Sequence, residues 1–240
     1  MNWLIDCSKI SVPVDNGLPA IRAPKPLRTA VAIKECDEEL VPVSGSLRVH
    51  PVYSWLGLRD STETFVRARV LELLQQASRE LPPEFDLVVI DGHRTRKLQA
   101  RLLEHYRKFD LPANVCYVAD PNDDSIVPPH TTGGAVDLTL GWRGAVLGLG
   151  TDFDDFTEMA APAALESDAP SVARELRRLL SKVLSAQEMV PFYTEWWHWS
   201  YGDQYWADRK GAAVARYGEV DIGPAGGLPR LRDRGGRDQV

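Results

Sequence analysis

Four residues carry the chemistry that this sequence could do: His130, Asp137, Glu195 and His198. His130 lies in PPHTTGG (128–134), a loop-like Pro/Thr/Gly stretch, and Asp137 follows inside GAVDLTL (134–140). In that run Val136, Leu138 and Leu140 alternate with Ala135, Asp137 and Thr139, so a strand would put the aliphatic set on one face and the carboxylate on the other. The small neighbours Ala135 and Thr139 leave room around Asp137. A buried carboxylate must be paired, hydrogen-bonded or metal-bound. The plain alternative is a structural Asp bonded to nearby backbone or to an Arg. TEWWHWS (194–200) holds Glu195 and His198 three residues apart. A regular strand would send them to opposite faces, so meeting at one site needs a bend or bulge between them. The plain alternative there is a tryptophan-rich core strand with an incidental Glu and His. Three tryptophans around a charged pair make that a costly place for an unpaired carboxylate. Two imidazoles and a carboxylate can hold a tetrahedral Zn²⁺ with one position open for water. A Glu that is not a ligand can deprotonate that water and then protonate a leaving amine. Of the other imidazoles, His50 and His105 read as structural or solvated, His105 within a charged helical stretch.

The elements that must position these residues can be read along the chain. Residues 1–27 are irregular and punctuated by proline. RTAVAIKE (28–35) reads as a strand, and HPVYSWLGL (50–58) as an ordered loop. DSTE (60–63) has the form of a capping box, with Asp60 as N-cap and Glu63 reaching back. Phe65, Val66, Val70, Leu73, Leu74 and Ala77 then recur at helical spacing up to Pro82. FDLVVID (85–91) reads as a strand covered on both faces. Residues 95–109 read as a helix with Leu98, Leu102, Leu103 and Tyr106 on one side. VCYVA (115–119) and GAVDLTL are further strand candidates. Gly133 and Gly134 let the backbone turn from the histidine loop into the latter. Residues 152–170 are acidic and then Ala/Pro-rich, a surface loop. Residues 171–187 form another helix, and PFYTEWWHWSYGD (191–203) a final aromatic strand. The Gly/Pro/Arg-rich stretch 223–240 reads as a flexible tail. Strands and helices without regular alternation imply an α+β fold in one domain, residues 1–222, with a small mixed or antiparallel sheet flanked by helices.

Composition narrows the function classes. At 240 residues and 44% hydrophobic, the chain can bury a sizeable core. A formal charge of −6 argues against general nucleic-acid binding. Cys7, Cys36 and Cys116 are odd in number and widely spaced, which is neither a disulfide framework nor a thiolate zinc site. No stretch reaches the roughly 18 apolar residues of a membrane span, and the N-terminus has no basic region followed by an apolar run. The expectation is a cytoplasmic protein acting on a small molecule, with no membrane or nucleic-acid partner and an oligomeric state left open.

The motifs resemble a known family. VVIDGHRTRKLQ (88–99), PPHTTGGAVDLTL (128–140), GTDFDDF (150–156) and EWWHW (195–199) look like the VanX-type D-alanyl-D-alanine dipeptidases, in the same order and with similar separations, over about residues 25–210. The resemblance implies that family's peptidase fold and one Zn²⁺ per chain, held by His130, Asp137 and His198. It implies hydrolysis of D-alanyl-D-alanine or a closely related dipeptide from cell-wall peptidoglycan, by water on the zinc, with Glu195 as general base and acid. It implies that Arg94 meets the developing oxyanion. It also implies that Asp154 meets the substrate's free amino group, with Asp152 and Asp155 as adjacent candidates. One position departs. The family's usual serine two residues before the first zinc histidine is Pro128 here, which offers neither hydroxyl nor N–H. That leaves the dipeptide open.

Two rivals share this core. A D,D-carboxypeptidase acting on longer stem peptides would have no use for an anchor such as Asp154 near the scissile bond. A non-catalytic zinc-stabilised binding module would have no use for Glu195 and Arg94, and structural zinc sites usually have four protein ligands rather than three.

Overall fold

The computed structural model describes residues 3–27, 30–109, 119–120 and 126–221, and the backbone of 230–231. In chain order the strands are β1 Ile5–Asp6, β2 Leu40–Pro42, β3 Arg48–Val49, β4 Phe65–Arg67, β5 Phe85–Asp91, β6 Ala135–Trp142, β7 Ala145–Gly148, β8 Val190–Pro191, β9 His198–Ser200, β10 Val220–Asp221 and β11 Arg230–Leu231. The helices are α1 Val52–Trp55, α2 Ala68–Arg79, α3 Arg96–Tyr106, α4 Val172–Ala186 and α5 Gln204–Lys210.

The aliphatic runs of β5 and β6 make the centre of the molecule. They pair antiparallel, with Leu87 opposite Leu140 and Val89 opposite Leu138. The main sheet runs β1-β7-β6-β5-β3, and β9 adds to β6 with β8 beside it. The outer pairs β1–β7 and β3–β5 are parallel and the rest antiparallel, so the sheet is mixed. Strand β6 has β5 along one edge, while β9 and β7 divide the other. A second small sheet pairs β2 with β4. Helices α2 and α4 pack against β5, β6 and each other. On α4, Ala173, Leu176, Leu180, Val183 and Leu184 recur every three or four residues and are all buried. Each large aliphatic side chain so buried contributes about 1.5–3 kcal/mol. The stripe joins Val136, Leu138 and Leu140 in one core. This is the α+β architecture expected, with a mixed sheet and flanking helices. Among the described residues no helix is long and apolar enough to cross a membrane.

Several local expectations are corrected. The DSTE stretch caps nothing: α2 begins at Ala68 with Arg67 as N-cap. Phe65 and Val66 belong to β4, because Leu40–Pro42 offers them a ladder. Of RTAVAIKE, the described residues 30–35 make one isolated bridge, Ile33 to Ala215, since no longer partner lies alongside. HPVYSWLGL is not a loop throughout but contains α1. The aromatic strand 191–203 is broken: pairing is confined to Val190–Pro191 and His198–Ser200, with a bend between. The segment 152–170 lacks strands but is not simply surface, since Phe153, Ala160 and Leu165 are buried in the core. The opposite face of β6 is covered too, with Ala135, Asp137 and Thr139 all inaccessible. The strand candidate 115–119 lies outside the described residues except for Ala119. So does the expected tail, except for Arg230–Leu231, whose backbone pairs with Val220–Asp221.

Candidate metal centre and active site

Three strands bring the site together at one end of β6. Asp137 sits opposite Asp91 of β5 on one side and opposite His198 of β9 on the other. His130 comes from a 3-10 turn, Pro129–Thr132, that leads into β6. That turn ends at Gly133, whose φ of 72° is left-handed, and a Cβ there would run into Leu40. The buried Arg67 holds the turn from outside, its Nε donating to Thr132 O at 2.7 Å and its Nη2 pairing with Glu35 at 3.1 Å. Gly92 makes a second close approach. A Cβ on it would lie 2.5 Å from Phe65 O. Its own carbonyl lies 2.8 Å from His130 Nδ1. A carbonyl only accepts, so His130 Nδ1 carries the proton and Nε2 presents its lone pair to the centre.

The ligand atoms form a tight triangle. His130 Nε2 is 3.1 Å from His198 Nδ1 and 3.3 Å from Asp137 Oδ2, and His198 Nδ1 is 3.2 Å from Asp137 Oδ1. A tetrahedral ion with bonds of about 2.0–2.1 Å needs ligand atoms about 3.3 Å apart. The edge between the two imidazoles, 3.1 Å, is close to that spacing, and one carboxylate oxygen of Asp137 lies beside each imidazole, Oδ2 by His130 and Oδ1 by His198. Asp137 Oδ1 has no hydrogen-bond partner although it is buried, as expected of an atom kept for a metal. His130, Asp137 and His198 are the residues that could hold a metal among those described. Burial opposes the charge on Asp137, but the two imidazoles hold its carboxyl well below the usual carboxylate range. Burial pushes His198 down, towards the neutral form that ligation requires.

Glu195 stands on the bend before β9. Backbone bonds from Trp196 N to Ala160 O (2.9 Å) and from Leu138 N to Trp197 O (3.0 Å) fix that bend. It turns Glu195 Oε2 to 3.8 Å from His198 Nδ1, which a regular strand would not allow. Trp196, Trp197 and Trp199 are almost wholly inaccessible. Burial, with Asp137 and Asp154 nearby, pushes the Glu195 carboxyl well above its usual value, and Arg94 opposes this. A cation at the ligand triangle would draw it back down.

Arg94 is both a structural ion pair and a wall of the site. Its Nε donates to Asp91 Oδ2 at 2.6 Å and its Nη2 to Asp137 Oδ2 at 2.9 Å. Asp91 also accepts from Arg59 at 2.5 Å, so it links two guanidiniums. Arg94 Nη1 makes only a long 3.4 Å contact with Gln99. Burial alone would lower the Arg94 pKa, but Tyr53, Asp91 and Asp137 raise it.

Of the three adjacent aspartates, one reaches the cavity. Asp154 has a left-handed φ of 56° and accepts hydrogen bonds from Tyr53 (3.0 Å) and Tyr106. Such backbone strain in a non-glycine residue clusters at functional sites. Burial pushes the Asp154 carboxyl up to about 7. Asp152 instead accepts from the backbone N–H groups of Trp3 (2.7 Å) and Leu4 (3.0 Å), tying the N-terminal segment down. Asp155 does not line the cavity.

His130, Asp137, His198, Glu195, Arg94 and Asp154 all line one cavity of about 270 Å³. Sequence reasoning misses Asp91, Tyr53 and Tyr106. Asp91 has a signal, a carboxylate ending an apolar strand as Asp137 does within its own. The tyrosines have none, because each looks like an ordinary core aromatic.

Two comparisons with known proteins agree with this geometry. The peptidase M15 family, described as D-ala-D-ala dipeptidase, matches residues 64–215. A D-alanyl-D-alanine dipeptidase of Synechocystis sp. (strain ATCC 27184 / PCC 6803 / Kazusa) is 26% identical over 217 residues, covering 74% of this chain and 87% of the relative. The matched span runs from the residue before β4 to beyond α5 and contains the ligand triangle, the bend with Glu195 and both Arg94 and Asp154. The chain belongs to the M15 D-Ala-D-Ala dipeptidase family of metallopeptidases.

Proposed function

We propose that this peptidase is a zinc-dependent dipeptidase that hydrolyses D-alanyl-D-alanine or a closely related dipeptide. The observation that carries the proposal is the buried cluster of His130, Asp137 and His198, with the imidazoles 3.1 Å apart, a carboxylate oxygen of Asp137 beside each, and a non-ligand carboxylate, Glu195, 3.8 Å from His198. When bound there, Zn²⁺ supplies the Lewis acidity that makes water nucleophilic near neutral pH and polarises the scissile carbonyl. Zinc is favoured because two imidazoles and one carboxylate suit it, and three protein ligands leave a position open.

Each residue then has one task. Glu195 takes the proton of the attacking water and passes it to the nitrogen of the departing amino acid. Its Oε1 has no hydrogen-bond partner and is available for this. Arg94 steadies Asp137 and presents Nη1, its most loosely held nitrogen, to the developing oxyanion. Asp154, steered by Tyr53 and Tyr106, pairs with the substrate's ammonium group and sets the reading frame for cleavage.

Replacing Glu195 by Ala tests this. The variant should keep one zinc per chain by elemental analysis and lose turnover by roughly a hundred- to ten-thousand-fold. Turnover retained in that variant would refute the mechanism.

A further inference from the structure

The cavity has two chemically different ends. At one, Asp154 accepts from Tyr53 and Tyr106, and Tyr53 also touches Arg94. At the other, the ring of Phe192 packs on His198 with centroids 4.9 Å apart and on Tyr205 at 5.0 Å. Val127, Pro128 and Leu27 continue that wall. Tyr193, whose ring lies 4.8 Å from that of Phe192, also lines this side, while two other polar side chains are turned to the backbone. Gln204 Oε1 accepts from Val127 N at 3.0 Å, and its Nε2 donates to Val31 O at 2.7 Å. The Tyr205 hydroxyl lies 3.0 Å from Lys25 O and 3.2 Å from Pro191 O. Pro128 brings no N–H. Among the described residues, Phe192, Val127, Pro128 and Leu27 give this wall an apolar stretch.

A bound dipeptide has its direction set by the charges. Its ammonium goes to Asp154 and its scissile carbonyl to the ligand triangle beside Glu195. Its second residue is then directed past His198, towards Phe192 and Val127. We propose that this apolar wall is the subsite for the side chain of the second residue, and that it selects a bulky apolar side chain over a methyl group. The proposal rests on the dipeptidase reading above. A methyl leaves Phe192 and Val127 facing water, whereas an isobutyl or benzyl group covers them and removes that surface from water. Discrimination by hydrophobic pockets runs at about tenfold or more for each methylene that fits.

The test compares D-Ala-D-Ala, D-Ala-D-Leu and D-Ala-D-Phe with the zinc-loaded full chain. The expected kcat/KM for the Leu and Phe dipeptides is at least about tenfold above that for D-Ala-D-Ala. Binding to the Glu195→Ala protein, measured by calorimetry without turnover, should follow the same order. In Phe192→Ala, and in the milder Phe192→Leu, the ratio of D-Ala-D-Phe to D-Ala-D-Ala should narrow. Because that ratio is taken within one variant, any loss of folded protein cancels. Equal rates for the three substrates, a preference for D-Ala-D-Ala, or a ratio that neither variant moves would overturn the subsite and leave the dipeptidase reading standing. No cleavage of any of the three by protein carrying one zinc per chain would overturn both.

Discussion

Asp154 carries an unusual load for one side chain. It is buried, takes a left-handed backbone with φ of 56°, and has its carboxyl pushed up to about 7 by burial. Its folded value thus lies above the ordinary 3.8. As pH rises from about 4 to about 7, the unfolded chain gives up this proton before the folded one does. Stability is therefore lost across that window and stays lost above it. An Asp154→Asn variant removes the buried charge. With chelator present it should melt above the parent at pH 8, and the gap should shrink as pH falls through about 7. The same variant should raise KM for the dipeptide at least about tenfold, because a buried charge partner of the ammonium is gone. A melting gap that does not change with pH would contradict the buried-charge account. The sequence leaves Asp154 unresolved against Asp152 and Asp155, and the reason is physical. What separates them is a backbone dihedral and two hydroxyls from Tyr53 and Tyr106, residues with no motif around them. His130, Asp137, Glu195 and His198 are legible because charge or imidazole in an apolar or glycine-rich setting demands a reason.

At the scale of elements, the loop bearing Asp154 is held by one arginine. Arg177 of α4 is buried and donates to Leu149 O at 2.7 Å, Ala161 O at 2.8 Å and Met159 O at 2.9 Å. These carbonyls bracket the loop on both sides. Burial lowers the Arg177 pKa to about 10. Arg177→Met should leave Leu149 O and Met159 O without this donor, while Ala161 O keeps its bond from Ala164 N, and cost about 2 kcal/mol or more. It should also raise KM more than it lowers kcat, since the proposal gives substrate binding to Asp154 and proton transfer to Glu195. Lys at the same position should restore part of KM. An equal fall in both parameters would assign Arg177 to general stability instead. Elements β5, β6, α3 and α4 are legible because their apolar runs and periodicity are clean; the structure adds N-caps at Thr95 and Ser171. The start of α2 is not, because Phe65 and Val66 fit a helical stripe as well as a strand. Pairing with Leu40–Pro42, distant in sequence, decides between the two. The bend at Glu195 is required by the chemistry but not encoded by any local turn signal; backbone bonds to Ala160 and Leu138 make it.

At the scale of the whole molecule, one core cluster runs from Leu4 to Tyr217, which supports the proposal that residues 1–222 form one domain. The ligand triangle joins β6, β9 and the turn before β6, so a bound metal would tie distant parts of the chain together. A ligand that binds only the folded state adds about 2.7 kcal/mol at a hundredfold excess over its Kd, and zinc should raise the melting temperature accordingly. The most direct test of the account is a zinc titration. Protein stripped by chelation is reloaded stepwise, and hydrolysis of D-Ala-D-Ala, D-Ala-D-Leu and D-Ala-D-Phe is measured against bound zinc per chain. The account predicts no hydrolysis without metal, a rate that rises in proportion to bound zinc, and a plateau at one zinc per chain. Hydrolysis at full rate by metal-free protein, or no hydrolysis at one zinc per chain, would contradict it.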